Sequence, residues 1–552
     1  MCFTRLARRA GIFGALLAFP AALPAQTAPV AVNPDSLRRT LFAVSDDSMG
    51  GRATGSLGDA EASAWVAAAF TRYGLVPAGD GGTYYQDVPF VRIALDTTSG
   101  LDVAGTHLAA GRDVLPFVLQ MSWKVQGAAT LYAGPLDDST AWPGADQSAG
   151  KLLLFRRPPG SNLRATFQAM VVLRRRPRFA HAAGFAFSGL DELPAEVLAQ
   201  VAASRITTDT MMFSVLRASL LVTARAATAL LGTPFATAAP GTVGPPVTGA
   251  VSFVRDRLAY PARNVVGILR GADPALAATY VAVSAHHDHI GLERPPLDHD
   301  SVRAFNRVVR PMGEDSPPRT ATPEETARIA GLLDSLRAAG PDHADSVYNG
   351  ADDDGSGTVA LVELARVLSE GPRPRRSILF LSHAAEELGL LGSHWYSDHP
   401  TVPRDSIVAE IDMDMVGRGA ASDLPRGGPG YLEVVGSRRL STEFGDLLEA
   451  VAAREPQAFH FNYEYDAPGH PLQYYCRADH YSYARYGIPS VSLSTGEHLD
   501  YHQVTDEAQY VDYAQLARVT ALVRDVALAV ANLDHPPVVD GHRQDPRAPC
   551  SQ

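Results

Sequence analysis

Little in this chain invites thiol chemistry: its 552 residues include three cysteines, Cys2, Cys476 and Cys550. That excludes a disulfide framework, and it excludes a thiolate metal cluster, which needs several Cys at short spacing. Lysine is scarcer still, with Lys124 and Lys151 the only two, so arginine carries almost all the positive charge. The formal net charge is −12, which argues against a nucleic-acid partner. Beyond the amino terminus no run is apolar for long enough to cross a bilayer, so stable membrane insertion is not expected. Two hydrolase signatures are missing. There is no His-Glu-x-x-His, the helix-borne single-zinc pattern, and no Gly-x-Ser-x-Gly, the nucleophile elbow. The run Asp352-Asp353-Asp354-Gly355 also fails as an EF-hand loop, because alternate-position ligands and a terminal Glu are absent.

What is present begins with a secretory signal over residues 1–25. Arg5, Arg8 and Arg9 make a basic start, Gly11 to Ala22 an apolar core, and Leu23-Pro24-Ala25 a cleavage site. The apolar core is too short for a membrane anchor, which needs roughly 20 residues of helix. Its removal takes three Arg and no acids, leaving a charge of −15. A secreted or periplasmic location follows, in which Cys476 and Cys550 are free to pair or not.

Residues 26–95 read as the first part of the main domain: a short Pro-containing lead over 26–35, then a helical pattern from Ser36 to about Val88, with Ala60, Ala64, Ala67, Ala68 and Phe70 at helical spacing and Gly74 as a stop. Over 96–250 the texture changes to short β-like runs, such as Ala129 to Ala133 and Lys151 to Phe155, between turn residues. Residues 251–535 alternate strand and helix signals. Tyr280 to Ser284, Ser377 to Leu381, Ile407 to Met413, Tyr431 to Val435 and Ser490 to Leu493 read as buried strands, and Thr358 to Leu368 as a helix. Continuous apolar strands alternating with helices predict an α/β fold with a doubly wound, mainly parallel sheet. A charged insert over 292–347, with one helical piece near Thr322 to Ala338, is expected at the rim of a site. The Pro-rich tail, residues 536–552, is expected to be loose.

In open parallel sheets, ligands bind at the carboxyl ends of strands. Here three strands run into His, Glu or Asp: His286 follows Ser284, Glu386 and Glu387 follow Leu381, and Asp414 ends the Ile407 strand. Each has a bland reading alone, as a satisfied polar residue, a turn or a helix-start charge. Together they predict a metal site built from His and carboxylates, the donors zinc takes when no thiolate is at hand. Two metals close together need a carboxylate between them, and Asp353 sits suitably in a Gly-rich turn. Of the adjacent glutamates, one can bind metal while the other moves a proton.

These residues form five ordered motifs: Ala285-His-His-Asp-His289, Gly350-Ala-Asp-Asp-Asp-Gly-Ser-Gly357, Ala385-Glu-Glu-Leu-Gly-Leu-Leu-Gly-Ser393, Asp412-Met-Asp-Met-Val-Gly417, and Tyr501-His502 with Asp506. Through them the chain resembles the di-zinc aminopeptidases of the bacterial leucyl aminopeptidase type, relatives of glutamate carboxypeptidase and the transferrin receptor. The resemblance covers about 260–510, and reaches Gly51-Arg-Ala-Thr-Gly55 and Tyr73-Gly-Leu-Val-Pro77 more weakly. It implies two zinc ions per chain, one held by His286, Asp353 and Asp414 and the other by Asp353, Glu387 and His502, with Asp353 bridging. It implies that Glu386 is general base and acid, that Asp288 orients His286, and that Tyr501 polarises the scissile carbonyl. Asp352 and Asp412 stand where the family often has Asn. His287, His289, His480, His498, Asp352 and Asp354 are read as non-ligands. Residues Gly150 to Arg156 and Ala182 to Phe187 resemble a protease-associated domain, which would make 96–250 a β-rich insert.

The expected function is therefore that of a secreted zinc exopeptidase acting on peptides, an aminopeptidase in preference. The acids Asp352 and Asp412 lean toward holding a free α-amine. The alternatives are a glutamate-carboxypeptidase-like exopeptidase, a single-zinc glutaminyl cyclase on the same fold, and a receptor-like binding protein without catalysis.

Overall fold

The buried apolar runs of the second half assemble side by side into one nine-stranded sheet. In this computed structural model, residues 29–116, 122–158, 160, 163–209, 219–340, 344–424 and 427–552 are described; the expected signal over 1–25 lies outside them. From one edge the sheet runs Val76–Pro77, Arg263–Leu269, Ser377–His383, Tyr280–His286, Ile407–Met413, Ser490–Ser494, Tyr431–Val435 and His460–Asn462, with Tyr85–Asp87 also pairing to Arg263–Leu269. The four central strands are mutually parallel. Their outer neighbours Arg263–Leu269 and Tyr431–Val435 are antiparallel to them. The sheet is thus mixed rather than mainly parallel. A parallel neighbour requires a long crossover, usually a helix, and the described residues of 270–279 and 414–430 contain none.

Side chains alternate between the two faces of each strand, and both faces are covered. Val281, Val283, Ile378, Phe380 and Ile411 pack under the helices Pro34–Val44, Leu57–Arg72, Gly357–Glu370, Thr442–Ala452 and Tyr513–Ala531. Ile268, Ala282, Leu379 and Leu381 meet Tyr396 and Tyr483, carried by helices Leu391–Asp398 and His480–Ala484, on the other face. Burial on both sides is why these strands read as unbroken apolar runs.

Residues 100–251 supply every strand of a second, eight-stranded sheet. It has its own two cores: Leu152, Leu154 and Leu220 face one, and Leu153, Phe155 and Phe187 the other. The 292–347 segment folds as an antiparallel pair, Gly291–Asp298 with Ala344–Tyr348, and two helices. Helix Pro323–Ala339 starts at a Thr322/Glu325 capping box, as the sequence signals. Helix His299–Val309 was not expected. It docks on the loop after the last parallel strand, where Asn306 donates to the Leu499 carbonyl at 3.0 Å and Arg303 pairs with Asp500 at 3.2 Å. The tail is not loose either. Cys550 is disulfide-bonded to Cys476, and the Tyr475 N–H donates to Gln552 Oε1 at 2.9 Å.

Candidate metal centre

Parallel strands place their carboxyl ends on one edge, and that edge carries the site. His286 ends its strand opposite His383, in register. Glu386 and Glu387 follow His383, Asp414 follows Met413, and His502 lies on the loop beyond Ser494. Asp353 is brought in by the turn that leads into helix Gly357–Glu370. That turn is pressed so close that a Cβ on Gly357 would stand 2.2 Å from the Met413 carbonyl oxygen, which explains the glycine.

The two oxygens of Asp353 face two donor sets. Oδ1 is 3.2 Å from His286 Nε2, which is itself 3.7 Å from Asp414 Oδ1. Oδ2 is 3.1 Å from His502 Nε2, which is 3.0 Å from Glu387 Oε2. All five residues assigned to metal are therefore brought together, with Asp353 between the sets. His286 Nε2 and Asp414 Oδ1 are buried and have no hydrogen-bond partner. Donors about 2.1 Å from a tetrahedral zinc lie about 3.4 Å apart, so these spacings and the unpaired donor atoms fit two zinc ions. Burial works against a charge on His286, but Asp288, Asp353 and Asp414 hold its proton affinity well above that of an ordinary histidine. For Asp353 burial is outweighed by His286 and His502, and its pKa falls well below the usual range.

One histidine read as a non-ligand belongs to the cluster. His289 Nδ1 is 2.6 Å from Glu387 Oε1, and the residue groups with Asp353, Glu387 and His502. That contact is not legible in the sequence, because three residues past the strand-ending His286 the sequence alone does not say which way the chain turns. Three of the other exclusions face structural partners, while His480 is buried away from both donor sets. His287 Nδ1 bonds Ser382 Oγ at 2.8 Å, His498 Nε2 faces Asp352 Oδ2 at 3.2 Å, and Asp354 accepts from the His286, Gly357 and Met415 N–H groups. Asp352 and Asp412 do not bear on an α-amine. Asp352 accepts from Gly417 N–H and Asp412 from Ser284, both buried away from the cleft lining. Neither carboxylate is therefore placed to hold a substrate amine.

Asp288 supports the site differently from the expectation. His286 Nδ1 meets the Asp288 backbone carbonyl at 3.1 Å, while its carboxylate is 3.7 Å away. That carboxylate instead accepts from the Glu386 N–H at 3.0 Å and from Thr54 Oγ1 at 3.1 Å. Asp288 thus fixes the loop of the expected base. Glu386 Oε2 lies 3.9 Å from His286 Nε2. Burial, countered in part by His286 and reinforced by Asp414 and Glu387, raises its pKa well above that of a free carboxyl group. Tyr501 lines the same cavity, and its hydroxyl accepts from Arg477 Nη2 at 3.0 Å.

Two further supports were invisible in sequence. Arg52, almost wholly buried, donates to the carbonyls of His287, Asn349 and Gly350, tying the two ligand loops together. Glu314, from the insert, places Oε2 2.6 Å from His502 Nδ1. A histidine ligand is oriented by the acceptor on its other nitrogen, and losing such an acceptor typically costs 10–100-fold in metal affinity. Glu314→Ala is therefore expected to weaken one of two zinc ions by about 10–100-fold in a chelator competition titration. Unchanged affinity of both ions would show that the contact does not orient His502.

A model of Peptidase family M28 matches residues 318–527. Over 202 residues the chain is 27% identical to a probable leucine aminopeptidase 2 of Aspergillus oryzae, covering 35% of this chain and 34% of that one. Over 80 residues it is 45% identical to Aminopeptidase YwaD of Bacillus subtilis, covering 14% and 17%. The matched parts thus span about a third or less of these relatives. Among solved structures, the aminopeptidase from Aneurinibacillus sp. strain AM-1 aligns over 93% of this chain and 98% of its own, at 17% identity and a TM-score of 0.44. The segment that the Peptidase family M28 model matches is the one that carries Asp353, the paired glutamates, Asp414 and His502.

Proposed function

We propose that this chain is a secreted di-zinc exopeptidase that removes amino-terminal residues from peptides, with residues 1–25 as its export signal. One observation carries the reading: a single carboxylate, Asp353, lies between two complete His/carboxylate donor sets, with a buried glutamate that is not a donor, Glu386, beside them. A glutaminyl cyclase with one zinc would have no use for the shared carboxylate. A receptor-like protein would have no use for Glu386.

Bound in the two sets, zinc would acidify a water and polarise the scissile carbonyl. The protein's own groups do the rest. Glu386, held by its N–H on Asp288 and raised in proton affinity by burial, takes a proton from the attacking water and returns it to the leaving amine. The Tyr501 phenol is kept neutral by burial and by Asp353 and Glu387. It receives a hydrogen bond from Arg477 and so keeps its own O–H to donate to the substrate carbonyl oxygen. Residues 96–250, with their separate sheet, are read as a protease-associated-like module that contributes no group to this chemistry.

The choice of chain end is tested with the zinc-loaded protein on free-amine aminoacyl anilides beside N-blocked dipeptides. Turnover of the free-amine set at 10-fold or more over the blocked set is the expected result. Cleavage of the blocked set alone would replace the aminopeptidase by a carboxypeptidase.

A further inference from the structure

The cavity over the donor sets is joined by a second one. The two share Glu386, Arg477, Tyr501 and His502, and the far wall of the second is the tail, residues 546–550. The tail reaches that place along the sheet edge: Gly541 N–H donates to the Leu440 carbonyl at 3.0 Å, and Thr442 N–H to Asp540 Oδ1 at 2.9 Å. Cys550 is then crosslinked to Cys476, 74 residues earlier. Gln552 stitches the same loop. Its Nε2 donates to the carbonyls of Tyr465 and Ala467 at 3.0 and 3.1 Å, and its Oε1 accepts from Tyr475 N–H. Cys476 stands immediately before Arg477, whose Nη1 pairs with Asp315 at 2.7 Å and whose Nη2 donates to the Tyr501 hydroxyl at 3.0 Å. Consecutive Cα atoms are held about 3.8 Å apart, so a backbone shift at Cys476 passes directly to Arg477. A shift of about 1 Å takes such a hydrogen bond beyond useful length.

We propose that the Cys476–Cys550 disulfide is a redox latch on the cleft. Closed, it holds residues 546–550 as the cavity wall and sets Arg477 on the Tyr501 hydroxyl. Opened, it releases both, and Tyr501 loses the donor that leaves its own O–H free for the substrate carbonyl oxygen. The latch rests on the carbonyl-polarising role of Tyr501 and gives that role a control. Both cysteines are only half-buried, so a small thiol can reach the bond. A dithiol opens it by exchange. One thiolate attacks a sulfur and forms a mixed disulfide, and the second thiol displaces the protein from it. The two protons of the dithiol pass to Cys476 and Cys550, and the reductant leaves as its own disulfide. Neither cysteine belongs to the donor sets, so opening the latch leaves the zinc ligands complete. Cys476 and Cys550 are thus positioning residues that act through Arg477.

The test measures kcat and KM of the zinc-loaded full chain on an aminoacyl anilide for wild type, Cys550→Ser, Arg477→Ala and the double variant. Cys550→Ser is expected to lower kcat by about 10-fold, with KM little changed and two zinc ions retained, because the lost contact serves the transition state. Added to Arg477→Ala, it should cost nothing further, since both remove one interaction. Unchanged kcat in Cys550→Ser, or the same loss in both backgrounds, would overturn the latch, the second by showing that the crosslink does not act through Arg477. Wild type opened with a dithiol, freed of it and reloaded with zinc should show the same drop, and reoxidation should restore it; a drop that persists would rule out a switch. Hydrogen exchange reads the latch without turnover. Amides 474–477 should exchange faster in Cys550→Ser, because Tyr475 N–H is held by the tail, and equal exchange would sink the proposal. Full turnover in Tyr501→Phe would instead remove the role of Tyr501 itself, a failure of the mechanism that the exchange measurement keeps separate.

Discussion

Glu386→Gln is expected to lower kcat by about 10²- to 10⁴-fold while two zinc ions per chain stay bound. Glutamine matches glutamate in shape but cannot take a proton. The substitution leaves both donor sets complete, since Glu386 belongs to neither. Its backbone N–H still reaches Asp288. Metal analysis and steady-state kinetics on one preparation read both quantities. Turnover within a few-fold of wild type would remove Glu386 as the base, and loss of a zinc ion would make it a ligand.

Asp353→Ala is expected to do the converse. Each donor set loses one oxygen, so at most one zinc should remain tightly held. Activity should fall by about 10³-fold or more, the loss of several kcal/mol of transition-state stabilisation from the metals. Asp352→Ala is the control one residue away. Asp352 touches neither donor set but accepts from Gly417 N–H and faces His498, so its loss should lower thermal stability more than zinc stoichiometry. If both variants keep two zinc ions, the bridging assignment fails.

The contrast shows what the sequence carried. His286, Asp353, Glu387, Asp414 and His502 were legible because each stands just past a strand or in a turn bound to one, and strands buried on both faces announce themselves as apolar runs. His502 over His498 came instead from the family resemblance, with Gly496, Asp500 and Tyr501 disfavouring a helix that would present both. The supports were not. Arg52 and Glu314 reach their partners from segments far away in sequence, and no local pattern marks such pairing. Ala60, Ala64 and Ala68 misled in a smaller way. In helix Leu57–Arg72 the buried face is Ala62, Val66, Ala69 and Phe70, while Ala64 and Ala68 are exposed. Alanine fits either face, so its periodicity does not say which one packs. Tyr431–Val435 was legible as a strand but its antiparallel direction was not, because an apolar run records burial and not direction.

The Arg52 clamp has a consequence for how the molecule comes into being. Its bonds to His287, Asn349 and Gly350 span 235, 297 and 298 residues. Closing loops of that length is slow, and synthesis is vectorial, so Arg52 leaves the ribosome long before the loops it will grip. His502 arrives later still. The centre therefore cannot be complete until His502 has been made, and zinc uptake by both sets marks a polypeptide whose distant parts have already met.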